Sequence, residues 1–368
     1  MKKYIEYLKT VEKWQVKRLI FCFLTIFIIG VAYLGTTLFT LYKDKTNEKV
    51  YWESSMNEKS NLSDKEYQEL TKDAVKITTG TYVENLKHID LKTNTYRLDF
   101  VAWFRWNGDP SIDIMNHFRV YKGVINKFEK IKDYHENGDN YQLVRIDATI
   151  SKNYWTKRFP LESHQFRFYL ESEITADKVL LVPDKENSSI NRSISISGYD
   201  LRQHDVGSFL NQYPSTQNDP TLEKAVTTSE MMTQLEINRS GFGVYLKCFI
   251  ALFGTTAWVL ITLFINTYHR VDPLGMIPAA LFGTVSNIMV GANLLPDALD
   301  LGLLEYVNVF GIMTILAVTF CIININRIRS KASNKEFATL FGKIMFFTIL
   351  IFVIVAHIAY PLTAYLWH

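Results

Sequence analysis

Apolar and polar stretches divide the chain into a basic segment (residues 1–18), an apolar run (19–42), a long polar block (43–245) and four more apolar runs (246–268, 273–296, 303–326 and 344–367). About 20 apolar residues span the hydrocarbon core as a helix, so each run predicts a membrane crossing. The first run passes straight into LYKDKTNEK with no small-residue cleavage site, and is expected to remain as an anchor rather than leave as a signal sequence.

Inside the polar block the period changes. NLSDKEYQELTKD, with Ser63 three residues before Glu66, carries the reciprocal cap of a helix start. Beyond Ala74 alternation takes over: in TYRLDFVAWFRW, Tyr96, Leu98, Phe100, Ala102, Phe104 and Trp106 share one face, while Arg97, Asp99 and Arg105 share the other. Further strands are predicted at VKITTGTYVEN, YQLVRIDATIS, HQFRFYLES, KVLLVP, SISISGYD and MMTQLEINR, punctuated by turn-rich pieces such as WNGDPS and ENGDN. Short strands so separated predict an antiparallel sandwich or barrel. The fold class expected is a membrane protein with a β domain between an N-terminal helix and four C-terminal helices.

The run over 273–296, PLGMIPAALFGTVSNIMVGANLLP, is unlike the other four. Gly275, Ala279, Gly283, Thr284, Ser286, Asn287, Gly291 and Asn293 interrupt it, and a helix facing only lipid needs none of these. Asp272 precedes the run, and Asp297 and Asp300 follow it.

Charge and cysteine use narrow the classes. A formal charge of +3, with basic residues gathered beside the apolar runs, leaves no footprint for nucleic acid. The three cysteines, Cys22, Cys248 and Cys321, all lie in apolar runs, so the polar block has neither a disulfide framework nor a thiolate metal site. No phosphate loop, HExxH or nucleophile elbow occurs, so neither an enzyme nor a cofactor is expected. With five alternating crossings, four of them before residue 327, the basic N-terminal segment and the basic residues of 327–343 (Arg327, Arg329, Lys331, Lys335 and Lys343) fall on one side. Both signals predict a multi-pass cell-membrane protein with a cytoplasmic N-terminus and an outward polar block and C-terminus.

Several stretches carry a family resemblance. RFPLESHQFRFYLES, from Arg158 to Ser172, is similar to the FPFDxQ loop and following strand of the pentameric ligand-gated ion channels, with Phe159 and Pro160 matched, Glu162 for the aspartate and His164 for the glutamine. WFRWNGDP resembles that family's WxDP signature through Trp106, Asp109 and Pro110, with one extra residue. LEINRS places Arg239 at the pre-membrane arginine, and ANLLP resembles the NxLP that ends the pore helix in prokaryotic members. Phe166 stands where the second loop cysteine would be, so the loop disulfide is absent as in the prokaryotic type, and the helix over 19–42 is an addition to the four-helix plan.

The resemblance implies an immunoglobulin-like outer β-sandwich, a four-helix transmembrane bundle and a homopentamer in membrane lipid. In the matched register Gly275, Ala279, Phe282, Ser286, Met289 and Asn293 line the pore, Phe282 forms an apolar neck, and Asp272, Asp297 and Asp300 favour monovalent cations. Pro160, Glu162, His164, Arg239 and Pro296 fall at the gating interface, with Glu162 and Arg239 expected to pair and His164 able to add pH dependence. Trp103 and Tyr213 are the aromatic candidates for an unidentified small ligand, ion or proton site. A non-conducting receptor or scaffold of the same fold is the alternative.

Overall fold

The computed structural model of the chain describes residues 12–56, 64–194, 196, 198–216, 226–295, 301–330 and 335–365. It divides into two units, one of Lys49–Trp155 with Ser163–Ser240, the other of Met1–Glu48, Thr156–Glu162 and Gly241–His368. The chain opens with a long helix, α1 (Lys13–Met56), and a short one, α2 (Asp64–Leu70). The helix expected over NLSDKEYQELTKD is therefore present as α2, while its capping Ser63 lies outside the described residues.

The first unit holds ten strands: β1 (Val75–Asp90), β2 (Thr95–Asn107), β3 (Phe118–Val120), β4 (Gly123–Glu136), β5 (Asp139–Ser151), β6 (Ser163–Thr175), β7 (Val179–Pro183), β8 (Ser189–Ile190), β9 (Tyr199–Gln212) and β10 (Thr227–Arg239). They form two sheets, β4-β5-β2-β1-β7 with β8 beside β1, and β3-β6-β10-β9. The alternation of β2 becomes burial: Tyr96, Leu98, Phe100, Ala102, Phe104 and Trp106 are all buried. They share one apolar cluster with Phe166, Phe168 and Leu170 of β6 and Met231, Leu235 and Ile237 of β10. Tyr96 meets Phe166 at 4.7 Å between ring centroids and Phe100 meets Phe168 at 4.6 Å, so aromatic pairs join the sheets. Fully burying one such side chain stabilises by roughly 1.5–3 kcal/mol.

Two strand expectations differ from the outcome. β4, GVINKFEKIKDYHE, is exposed along most of its length and pairs only with β5. An edge strand with no buried face has no apolar alternation to announce it, and its lysines block pairing with another chain. In SISISGYD, Ile196 bridges Tyr199 and β9 starts at Tyr199, while Ser195 and Ser197 lie outside the described residues. The ENGDN turn between β4 and β5 puts Asn137 at φ 55° and Gly138 at φ 84°, the left-handed pair that Asn-Gly supplies.

The second unit holds α3 (Gly243–Phe264), extended by a π turn over Ile265–His269, then α4 (Ile277–Leu294), α5 (Leu303–Arg329) and α6 (Lys335–Tyr365). With α1 they make, among the described residues, five helices long and apolar enough to cross a membrane. α1 buries Gln15, Leu19 and Cys22, and further on Leu34, Thr37, Leu41, Asp44 and Glu48, each group a stripe of three- and four-residue steps, while Ile20, Phe21, Ile28 and Phe39 stay exposed. The stripe lies on α5 and α6. Arg18 donates twice to Asn324 Oδ1, at 3.1 and 2.5 Å; Tyr33 donates to the Tyr306 carbonyl at 2.8 Å; and Thr37 Oγ1 and Tyr360 OH are 2.9 Å apart.

Candidate functional site

α4 has two different sides. Ile277, Ala280, Thr284, Asn287 and Gly291 are buried at helical spacing, with Asn287 donating to Asn308 Oδ1 of α5 at 2.8 Å. Gly291 is tight against α5, since a Cβ there would come within 2.2 Å of Leu304. On the opposite side Gly275, in the turn before the helix, and Ala279, Phe282, Ser286, Met289 and Asn293 are all exposed, Phe282 at 76% and Met289 at 64%. The six residues assigned to a pore therefore lie on the side of α4 that the rest of the chain leaves uncovered, with Leu281, Val285 and Ile288 exposed beside them. Asp272 is exposed and accepts the Leu274 N–H at 3.2 Å, so its carboxylate helps shape the entry to α4. Pro296, Asp297 and Asp300 lie outside the described residues.

The loop Thr156–Glu162 is the second feature. Arg158, Phe159, Pro160, Leu161 and Glu162 are all buried, and the Phe159–Pro160 peptide is cis. The Leu303 N–H at the start of α5 donates to the Lys157 carbonyl at 2.7 Å. A Cβ at Gly302 would collide with that same carbonyl at 2.5 Å, so the loop can seat there only against a residue without a side chain. Arg158 is only 3% exposed, and its guanidinium faces two buried acids of α1: Nε is 3.7 Å from Asp44 Oδ2, and Nη2 contacts Glu48. Burial lowers the Arg158 pKa, while Asp44 and Glu162 act in the opposite direction. Arg158 also reaches the Ala364 carbonyl at 3.5 Å, and Lys45 donates to the Tyr365 carbonyl at 3.2 Å, so the stretch of α1 around Asp44 gathers the loop and the last described turn of α6.

Nothing near Asp44 in sequence announced this cluster, because its partner Arg158 is remote along the chain. The available signal was the stripe: Leu34, Thr37 and Leu41 continue at the same steps to Asp44 and Glu48, which puts two acids on a buried face. Glu162, expected to face Arg239, exerts its charge on Arg158. Arg239 places its guanidinium 4.0 Å above the Tyr199 ring. His164 is buried among the rings of Tyr154, Phe166 and Tyr199, at 5.1, 6.2 and 5.9 Å.

The ligand candidates Trp103 and Tyr213 belong to separate clusters on separate sheets. Tyr213, just after β9, donates to Glu171 Oε1 at 2.6 Å, and Thr228 donates to the same oxygen at 2.7 Å. Arg119 holds Oε2 at 2.8 Å and also contacts the Tyr213 hydroxyl. Burial alone would raise Glu171, but these bonds from Arg119, Tyr213 and Thr228 outweigh it and hold the carboxyl below its usual range. Glu230 stands opposite Glu171 in the β6–β10 register and is 7% exposed. Its Oε1 is buried with no hydrogen-bond partner among the described residues. Burial, then the charge of Glu171, push Glu230 up to about 7. Two adjacent carboxyls thus carry opposite shifts, one charged and clamped, the other poised to take a proton near neutrality. Sequence reasoning found Tyr213 but missed its acidic neighbours, since β6 and β10 are paired only by folding.

Trp103 lines an open cleft of about 930 Å³ with Lys76, Arg105, Tyr141 and Asp184. Its Nε1 donates to Asp184 Oδ2 at 3.1 Å, and Asn187 Nδ2 holds both Asp184 oxygens at 2.9 Å. The indole lies on Gly80, its partner across β1 and β2, where a Cβ would come within 2.2 Å of the ring. Gly80→Ala is therefore expected to lift Trp103 off the sheet, lowering stability by about 1–3 kcal/mol and red-shifting tryptophan emission. Equilibrium unfolding and emission spectra of the full chain check this; both unchanged would mean the indole does not rest there.

Compared with protein-family models and with curated proteins, the chain matches none.

Proposed function

We propose that the chain is one subunit of a homopentameric ligand-gated ion channel of the prokaryotic type, passing monovalent cations across the cell membrane. In this reading the two sheets form an outward β-sandwich, α3 to α6 form the four-helix bundle, and α4 lines the pore. One observation carries it: α4 buries Ile277, Ala280, Thr284 and Asn287 in its own protomer and leaves Ala279, Phe282, Ser286, Met289 and Asn293 exposed. Five such faces around an axis would make an apolar neck at Phe282 between the hydroxyl of Ser286 and the acid Asp272. The order of motifs along the chain supports the same assignment. So does the seating of the FPLE loop against the start of α5, where Leu303 is bonded to Lys157. The Glu171–Glu230–Tyr213 cluster is the site assigned to sensing a proton or a small cationic ligand, since it holds an unpartnered buried carboxylate oxygen beside an aromatic ring.

A non-conducting receptor of the same fold is the second reading, favoured by the strongly apolar Phe282 and Met289 on the uncovered face. The two part experimentally. Particle images of the full-length protein should show five-fold rings with α4 innermost; a monomer, a dimer or α4 facing lipid overturns the assembly. Planar-bilayer currents recorded across pH should reverse with the sodium gradient, and reversal with chloride would reject cation selectivity. Ser286→Cys and Met289→Cys should react with a water-soluble thiol reagent during opening, against little background because Cys22, Cys248 and Cys321 are buried. Protection under every condition, with no current, would select the receptor.

A further inference from the structure

The added helix α1 does more than anchor the chain: where it lies on α5 and α6 it leaves a recess of about 310 Å³. The recess is set by small residues, Gly30 on α1 and Ala317 on α5, and walled by Phe310, Met313, Ile349 and Phe352. Gly30 is constrained there, since a Cβ would come 2.8 Å from the Phe352 ring. The hydroxyls at its edge are already used, Thr25 donating to the Phe21 carbonyl and Thr314 to the Phe310 carbonyl, each at 2.8 Å. A water molecule needs two to four polar partners, and this lining offers no free donor, only the remaining lone pairs of Thr25 and Thr314. An apolar cavity of ~150 Å³ already takes benzene or xenon, so a recess this size has room for a longer hydrocarbon.

Charge identifies the rest of the occupant. Arg18 sits on the same stripe of α1 as Cys22 and Thr25, and its bonds to Asn324 bring the start of α1 to the end of α5. Arg327 is exposed at the end of α5, one turn beyond Asn324, whereas Lys13 and Lys17 lie on the side of α1 away from its buried Gln15, Leu19 and Cys22. At 1.5 Å per residue, Thr25 to Gly30 lie about 10–18 Å above Arg18 along the helix. Half of a ~30 Å hydrocarbon core is the depth of one leaflet, so a chain hanging from a headgroup at Arg18 ends in the recess. Basic side chains at the foot of a cleft between membrane helices attract anionic headgroups.

We infer that α1, α5 and α6 form a binding site for one anionic phospholipid, its headgroup held by Arg18 and Arg327 and one acyl chain lodged between Gly30, Ala317 and Phe352. The site does not depend on whether the protein conducts.

The test uses the full-length protein in vesicles of phosphatidylcholine with or without phosphatidylglycerol, each lipid in turn carrying a diazirine on its acyl chain. Photolabelling should concentrate on the α5 segment around Met313 and Ala317 and the α6 segment around Ile349, at least several-fold above exposed α3 positions such as Ile250. Phosphatidylglycerol should label more strongly than phosphatidylcholine. Ala317→Trp, which fills the recess, should abolish the focused label with the thermal midpoint unchanged or raised. Arg327→Gln should leave the recess labelled but remove the headgroup preference. Labelling spread evenly over exposed helix faces, or focused labelling that survives Ala317→Trp, would overturn the inference. If Ala317→Trp is misfolded, Arg327→Gln decides alone, and an unaltered headgroup preference rejects the site. Images showing a helix of a neighbouring copy seated in the recess would also reject it.

Discussion

Arg158→Leu is expected to destabilise the protein by about 3–5 kcal/mol, the cost of leaving buried carboxylates without their counter-charge. Asp44 and Glu48 are 6% and 4% exposed, and Glu162, whose charge also acts on Arg158, is 1% exposed. Without the guanidinium these acids must protonate, pull in water or part, and each route loosens the contact between α1 and the Thr156–Glu162 loop. The thermal midpoint of the full chain in detergent should fall on the order of 10 °C. Glu48→Gln alone should cost less, because Arg158 keeps Asp44 and Glu162. Combining Arg158→Leu with Glu48→Gln and Asp44→Asn should recover much of the loss, since removing a buried charge group whole is far less damaging than halving it. Additive losses in that cycle would show that the groups do not interact. Because Leu303 hangs on the Lys157 carbonyl of the same loop, the single variant should also disturb the entry to α5.

The second large effect is a pH dependence from Glu230. Its folded pKa of about 7 exceeds the ordinary carboxyl value of 4.5, because burial and then Glu171 disfavour its charge. Between these values the folded protein keeps a proton that the unfolded chain has lost, so stability falls as pH rises from about 4.5 to about 7 and stays lower above. A gap of this size corresponds to about 3 kcal/mol. Glu230→Gln should accordingly match the parent near pH 4 and exceed it at pH 8, with the difference opening across that window. Denaturant unfolding at a series of pH values measures it, and parallel profiles for parent and variant would reject the assignment. Glu171 acts in the opposite sense at lower pH: its depressed carboxyl contributes stability that is lost as the medium becomes acid enough to protonate it. Under the channel reading, Glu230→Gln should also remove the near-neutral component of any proton response.

Much of this architecture was legible because it is written locally. The period-two face of β2, Tyr96 through Trp106, is buried as its alternation demands, and the five apolar runs became five membrane-length helices among the described residues. In α1 and α6 the runs marked only the apolar part of the helix. α1 continues to Met56 through LYKDKTNEK, and α6 starts at Lys335, because helices end at caps and turns rather than where hydrophobicity ends. What local pattern could not show were pairings made by distant segments. Arg158 with Asp44 and Glu48, and Glu171 with Glu230, Tyr213 and Arg119, look like ordinary solvated charges until the fold removes water from them. β4 stayed hidden for the converse reason, having almost no buried side to pattern.

The contacts between α1 and α6 set an order of events during synthesis. α1 is made long before α6, yet Thr37 meets Tyr360 and Lys45 meets the Tyr365 carbonyl, while Arg158 meets the Ala364 carbonyl. Until α6 follows, the nascent chain carries Asp44 and Glu48 on a helix whose docking surface is incomplete, and contacts spanning so much sequence form slowly. The stripe of α1 therefore stays unpacked until a helix made about three hundred residues later reaches it.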